Sequence, residues 1–429
     1  MEVVQVPREQ FLRSLSFLGV FVCMAGMVTS PALLSVGMVI IILPGVLLFP
    51  IQTQLQRFWA HRPAVLMSGI FFLQLVSGIW SRSSGMAEWL EELKIKVPLF
   101  LGMYSLAVIG PFSTKQVRMA LAVLLLGTFV VGTVTVIDYM LHSAEIDQRI
   151  QTSKEVQVWL GCNHIYFSVI MAFSILGGVW SMLQPANLWM RGERYIVLAM
   201  VVACFLEMHV LTTRTGLVGL YLTALVLGWA QLLRNRRYLL AVALVLGLCS
   251  LPVAGYFGLS SFRHRIDNSV MDVTAYFRGK DPNYLSIGTR IESWKTAIHL
   301  WKKHPVIGVG MADLEADMTA QYVQDRSGLC PENFQKPHNQ FLQNLAGWGV
   351  IGFLWLCLAW FYPAFSVRWP KDLLFWMFWV NYGISMMGES MMERQRGVSF
   401  LVITFMLTLG VGGMKKARHT AFPSQHIQG

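Results

Sequence analysis

Twelve apolar runs divide this sequence almost from end to end, each near the roughly 20 residues that carry a helix across about 30 Å of hydrocarbon. They fall near 11–29, 32–50, 64–80, 97–112, 117–140, 164–183, 195–211, 216–232, 238–258, 338–361, 372–388 and 398–413. Inside a bilayer no water satisfies a bare peptide group, so a chain of such runs folds as helices that bond their own backbone. Composition agrees: 55% of the 429 residues are hydrophobic and 13% charged, with a mean hydropathy of +0.52, beyond what a soluble core needs. The expected fold is all-α, a polytopic membrane helix bundle of about twelve transmembrane helices. Residues 1–258 would hold the first nine, 259–337 a long loop, and 338–429 the last three with a tail.

The net charge of +11 does not point to nucleic acid, because the basic residues are scattered between apolar runs rather than gathered in a patch. In the short loops, Arg57, Arg62, Lys115, Arg118, Arg191, Arg194, Arg234, Arg236, Arg237, Arg368, Lys371, Lys415, Lys416 and Arg418 all fall on one side. That side is cytoplasmic by the positive-inside rule, which places both termini inside and the 259–337 loop outside. Long loops are exempt from the rule, so the ten Lys and Arg of this one do not count against the topology. Residues Met1 to Gln10 carry Glu2, Arg8 and Glu9 and no small-residue cleavage site, so the first apolar run is expected to be retained. Asp138, Glu207 and Glu389 sit near outer ends of runs, which suggests no relay across the membrane. No internal repeat pairs the runs into halves, which weakens a transporter reading.

Within the outer loop, Thr289-Arg-Ile-Glu292 has the form of a capping box. Ile291, Trp294, Ile298 and Trp301 follow at helical spacing, opposite Lys295, Lys302 and Lys303. Such a helix can lie on a membrane surface, but the loop is short for an independent core and is expected to fold down onto the bundle. Pro305 and the glycines of Ile307-Gly-Val-Gly310 would end the helix. Cys23, Cys204, Cys249 and Cys357 lie in apolar runs and read as small hydrophobes. Cys162 and Cys330 both fall on the oxidising face, yet no spacing rule pairs them.

Chemistry concentrates at the start of the tenth run, in Lys336-Pro-His-Asn-Gln-Phe-Leu-Gln-Asn-Leu-Ala-Gly-Trp-Gly-Val-Ile-Gly352. Pro337 is pre-shaped for a first helical turn, which would put His338 near the positive end of the macrodipole, neutral and suited to act as a general base. The competing reading is a histidine that merely marks the membrane interface. Around it the outer face gathers Asn163, His164, Arg214, Arg263, Arg265, Arg290 and Asn339. Guanidinium groups stay charged and grip phosphate oxygens in pairs, so the set suits a lipid-linked diphosphate. Each arginine alone also fits a snorkelling interfacial residue, and Glu207, two turns before Arg214, offers a structural ion pair instead. No Asp-x-Asp, His-x-x-x-His or carboxylate cluster is present, so neither metal nor cofactor is expected and arginines would do a metal's work. Gly347-Trp-Gly-Val-Ile-Gly352 formally matches a dinucleotide fingerprint but follows no strand, and reads as small-residue helix packing. No nucleophile elbow supports Ser-His-Asp catalysis.

His338-Asn-Gln-Phe-Leu-Gln-Asn-Leu-Ala-Gly-Trp-Gly-Val-Ile-Gly352, with Arg290-Ile-Glu-Ser-Trp-Lys-Thr-Ala-Ile298 and His304-Pro-Val-Ile-Gly-Val-Gly310, resembles the core of the O-antigen ligase and O-antigen polymerase superfamily. Leu211-Thr-Thr-Arg-Thr-Gly216 and Asn163-His164 resemble its other two patches. The resemblance implies a GT-C-like membrane glycosyltransferase of the bacterial inner membrane with a periplasmic, metal-independent active site. Its donor would be an undecaprenyl diphosphate-linked glycan and its acceptor, for a ligase, a sugar hydroxyl of the lipid A core, both presented among membrane lipids. A polymerase or a protein O-oligosaccharyltransferase of the same superfamily would differ only in acceptor.

Overall fold

The computed structural model describes residues 5–82, 86–143, 146, 157–211, 213–369 and 371–410. Among them are sixteen α-helices and no strand. The first six are α1 (Gln5–Gly26), α2 (Pro31–Leu47), α3 (Ile51–Ala60), α4 (Arg62–Ser77), α5 (Met86–Ile109) and α6 (Thr114–Leu141). There follow α7 (His164–Met182), α8 (Glu193–Val210), α9 (Arg214–Arg234), α10 (Tyr238–Gly258) and three loop helices, α11 (Ser260–Phe277), α12 (Ser286–Lys303) and α13 (Leu314–Gln324). The last are α14 (Gln340–Ser366), α15 (Leu373–Gly388) and α16 (Gln395–Gly410). Glu2, Lys415, Lys416 and Arg418 lie outside the described residues.

Among the described residues every apolar run falls on a helix. By length and composition, α6, α7, α9, α10 and α14 can cross a membrane, and a sixth span arises if α2 and α3, bent by 114° to one another, are taken together. The chain is thus a multi-pass helical membrane protein, with α4, α15 and α16 apolar but shorter. Local sequence sets the boundaries. Pro31, which lacks an N–H, opens α2, while Ser113 and Gln116 close a reciprocal capping box on α6 and Asn163 caps α7 by accepting from Ile165 and Tyr166, both serving orphan N–H groups of a first turn.

The bundle is built around α7, whose window is buried almost throughout, whereas α10 is exposed almost all round. Without a water-driven force between helices in lipid, close contact depends on shape. Gly216 of α9 sits against the backbone of Ser168, where a Cβ would stand 2.5 Å from its carbonyl oxygen. Phe173 meets Phe378 and Phe400 edge-on at 5.7 and 5.6 Å between centroids, binding α7 to α15 and α16.

Two expectations about the loop region change. The helix α12 starts one turn before Thr289, with Asp272 accepting from the Ile287 N–H at 3.3 Å. Glu292 is therefore free of capping and bonds the Tyr276 hydroxyl and Lys295. The face α12 buries is Ser293, Thr296, Ala297 and Leu300, packed on the bundle, rather than the bulkier Ile291, Trp294, Ile298 and Trp301.

The glycine-rich stretch of α14 is a break, not uniform packing. Gly349 has φ 64° and ψ −163°, which costs the helical bonds from Val350 to Ala346 and from Ile351 to Gly347. Residues 305–310 replace them: Val350 and Ile351 donate to the carbonyls of Pro305 and Val306, while Val309 and Gly310 donate to those of Ala346 and Gly347. All four groups orphaned by the break are satisfied, as buried backbone requires. Cys162 and Cys330 are both free thiols.

Candidate active site

His338 does not lie in the first turn of α14. Asn339 is the N-cap, its Oδ1 accepting from Phe341 and Leu342 at 3.0 and 3.1 Å, and His338 precedes it in a left-handed conformation at φ 46°. A side chain with a Cβ adopts this region at a cost, so the surrounding contacts must hold it there. Trp294 donates its indole N–H to the Pro337 carbonyl at 2.7 Å, and Asn339 donates to the Met387 carbonyl at 2.9 Å.

The strained backbone delivers the imidazole to Glu389, just beyond the end of α15. Nδ1 of His338 stands 3.0 and 3.1 Å from the two carboxylate oxygens. An ionised carboxylate only accepts, so Nδ1 carries the proton and Nε2 is left as the basic nitrogen. Glu389 is 7% exposed. Burial alone pushes its carboxyl up, but the hydrogen bond and charge of His338, with the charge of Arg290, outweigh it and hold the value below the ordinary 4.5. In the sequence Glu389 is only a charge near the end of an apolar run, because nothing in its spacing marks a partner 51 residues back.

Beside this pair lies a cavity of about 130 Å³ lined by His164, Thr213, Arg214, Thr215, Arg265, Ser286, Ile287 and Arg290, with Ile165, Ser168 and Leu211 behind them. The first residues of α7, α9 and α12 all border it, so three helix N-termini, each with donor N–H groups and a positive dipole end, converge on one small space. Three guanidinium groups add to that field, while the Asp272 carboxylate takes up one N–H at α12. Arg214 is held by the hydroxyls of Ser269 and Ser286 at 2.9 and 3.1 Å. Glu207 forms no ion pair with it and accepts from Thr133 at 2.6 Å instead. Arg290 joins the two halves: it lines the cavity and donates to the Gly388 carbonyl, next to Glu389, at 2.9 Å.

The structure thus brings Arg214, Arg265, Arg290 and His164 together. Arg263 turns away to the carbonyls of Tyr256 and Phe257 at the end of α10. Asn163 is committed to capping α7, as Asn339 is to α14. Among the described residues no group of three or more His, Cys, Asp or Glu is arranged to hold a metal ion.

Residues 196–357 match the family model described as O-antigen ligase, a span that takes in Arg214, Arg263, Arg265, Arg290, His338 and Asn339 but neither His164 nor Glu389. A protein of Haemophilus influenzae described as uncharacterized is 26% identical over 126 residues, 29% of this chain. The match spans 31% of that relative's length. The chain is a multi-pass helical membrane protein whose residues 196–357 are similar to the O-antigen ligase family.

Proposed function

We propose that the protein is a glycosyltransferase that ligates a glycan from undecaprenyl diphosphate to a sugar hydroxyl of the lipid A core. The site faces the periplasm of a bacterial inner membrane crossed about twelve times, with both termini inside. The acceptor oxygen attacks the anomeric carbon, its proton passes to Nε2 of His338, and the bond to the diphosphate breaks in line, inverting the centre. Undecaprenyl diphosphate leaves with the electron pair. Arg214, Arg265, Arg290 and the N-termini around the cavity stabilise the charge that grows on it, the term that usually dominates such catalysis. Glu389 holds the imidazole in the productive tautomer and stabilises the imidazolium, as a carboxylate does in other histidine bases.

The observation that carries this reading is Arg290, which borders the anion cavity and reaches the backbone beside Glu389 in one side chain. A leaving diphosphate and an attacking hydroxyl need such adjacent and separate stations. Arginines without a carboxylate cluster favour a metal-independent reaction. The test is the purified full chain in nanodiscs, supplied with a lipid-linked glycan and, separately, lipid A core, a second glycan donor and an acceptor peptide. Transfer to lipid A core supports the ligase. Transfer only to the glycan or the peptide overturns the acceptor and favours a polymerase or a protein O-oligosaccharyltransferase. No release of undecaprenyl diphosphate with any acceptor overturns the whole reading.

A further inference from the structure

Both segments that present the dyad, residues 336–340 and 389–393, are tied to a buried charge cluster on α5 that the chemistry above does not use. Lys96, 1% exposed in its side chain, stands 2.7 Å from Oε2 of Glu393 and 3.9 Å from Glu92. Glu92 in turn meets Lys336 at 3.1 Å. Gln340 closes the circuit: its Nε2 donates to Oε1 of Glu393 at 3.1 Å and its Oε1 accepts from the Met392 N–H at 2.7 Å. Gln340 is itself 1% exposed, and its Nε2 also reaches Asn344 at 2.8 Å. The single amide therefore bonds both the side chain and the backbone of the segment that follows Glu389, from a position two residues after His338.

Buried charges are retained at a cost that apolar packing of the same volume would avoid. Here the ion pairs fix two chain segments that come from opposite ends of different helices and share no backbone hydrogen-bond ladder. We infer that Gln340, anchored by the Lys96–Glu393 pair, is a positioning residue that sets the His338–Glu389 geometry. The inference rests on His338 being the base. None of Lys96, Glu393 and Gln340 lines the arginine cavity, so the residue acts on the proton-transfer half of the site and not on diphosphate binding.

The test uses Gln340→Leu, His338→Ala and the double variant of the full chain in nanodiscs, with extracted lipid-linked glycan for turnover and undecaprenyl diphosphate as the binding probe. Gln340→Leu should lower kcat about tenfold or more while undecaprenyl diphosphate binds within twofold of wild type. Because the amide acts only through His338, the double variant should be no slower than His338→Ala alone. If Gln340→Leu does not assemble, Gln340→Asn, which keeps the amide but cannot span both partners, is measured in the same cycle. A wild-type kcat, a parallel loss of probe binding, or losses that multiply in the double variant would each overturn the positioning role. Undiminished turnover in His338→Ala would instead remove the base assignment on which it rests.

Discussion

Nδ1 of His338 lies 3.0 Å from a carboxylate oxygen of Glu389, and the two residues are 51 positions apart in the chain. The contact spans the whole of α14 and α15, two helices that leave one face of the bundle and return to it. It also fixes which imidazole nitrogen is basic, so it links the path of the chain to the chemistry of the site.

Replacing the carboxylate with its amide separates those effects. Glu389→Gln can still accept from Nδ1, but it no longer stabilises an imidazolium. Turnover should fall by about one to two powers of ten, less than the two to four expected from His338→Ala. Undecaprenyl diphosphate binding should change little, and steady-state rates beside equilibrium binding check this.

The same carboxylate predicts a pH dependence of stability. Its value is held below the ordinary 4.5, so folding gains from its interactions above that range and loses the gain as pH falls through the lowered value. Thermal melts of wild type and Glu389→Gln should differ at neutral pH and converge under acid conditions. A gap that widened as pH fell below 4.5 would contradict the assignment.

Much of this was legible in the sequence. Apolar runs of membrane length gave helices at every expected place, because the bilayer leaves the backbone no other way to satisfy itself. Arg214, Arg265 and Arg290 were readable as a set because they fall in the connections between apolar runs, and the structure lines one cavity with all three. The Glu389 partner, the Lys96–Glu393 pair and the turned-away Arg263 were not, since each depends on helix rotation and on where distant segments meet. Pro337 misled for a local reason. Its ring suits the start of a helix, but Asn339 offers a better cap, and the chain instead bends at His338.

The break in α14 carries its own prediction. At Gly349 a Cβ would stand 2.3 Å from the Val306 carbonyl oxygen, with φ already at 64°. Gly349→Ala should lower the melting temperature markedly, since backbone strain alone costs about 1–3 kcal/mol. Gly247→Ala in α10, where nothing lies within 4 Å, should not, and parallel melts in one detergent decide it.

Transfer should proceed unchanged in excess EDTA, because in the proposed reaction arginines and helix N-termini stabilise the diphosphate. Activity lost in EDTA and restored by magnesium or manganese would remove the arginine-for-metal account.

In the proposed reaction the histidine and the arginines do different jobs, and donor affinity measured beside single-turnover rate separates them. His338→Ala should react far more slowly while binding undecaprenyl diphosphate-linked glycan almost as well as wild type. Arg214→Ala and Arg290→Ala should each bind it about tenfold more weakly or worse, since a charge-assisted hydrogen bond is worth about 1.5–3 kcal/mol. Arg→Lys should recover only part, for the ammonium lacks the paired fork. Donor binding abolished by His338→Ala and untouched by Arg214→Ala and Arg290→Ala would contradict the account.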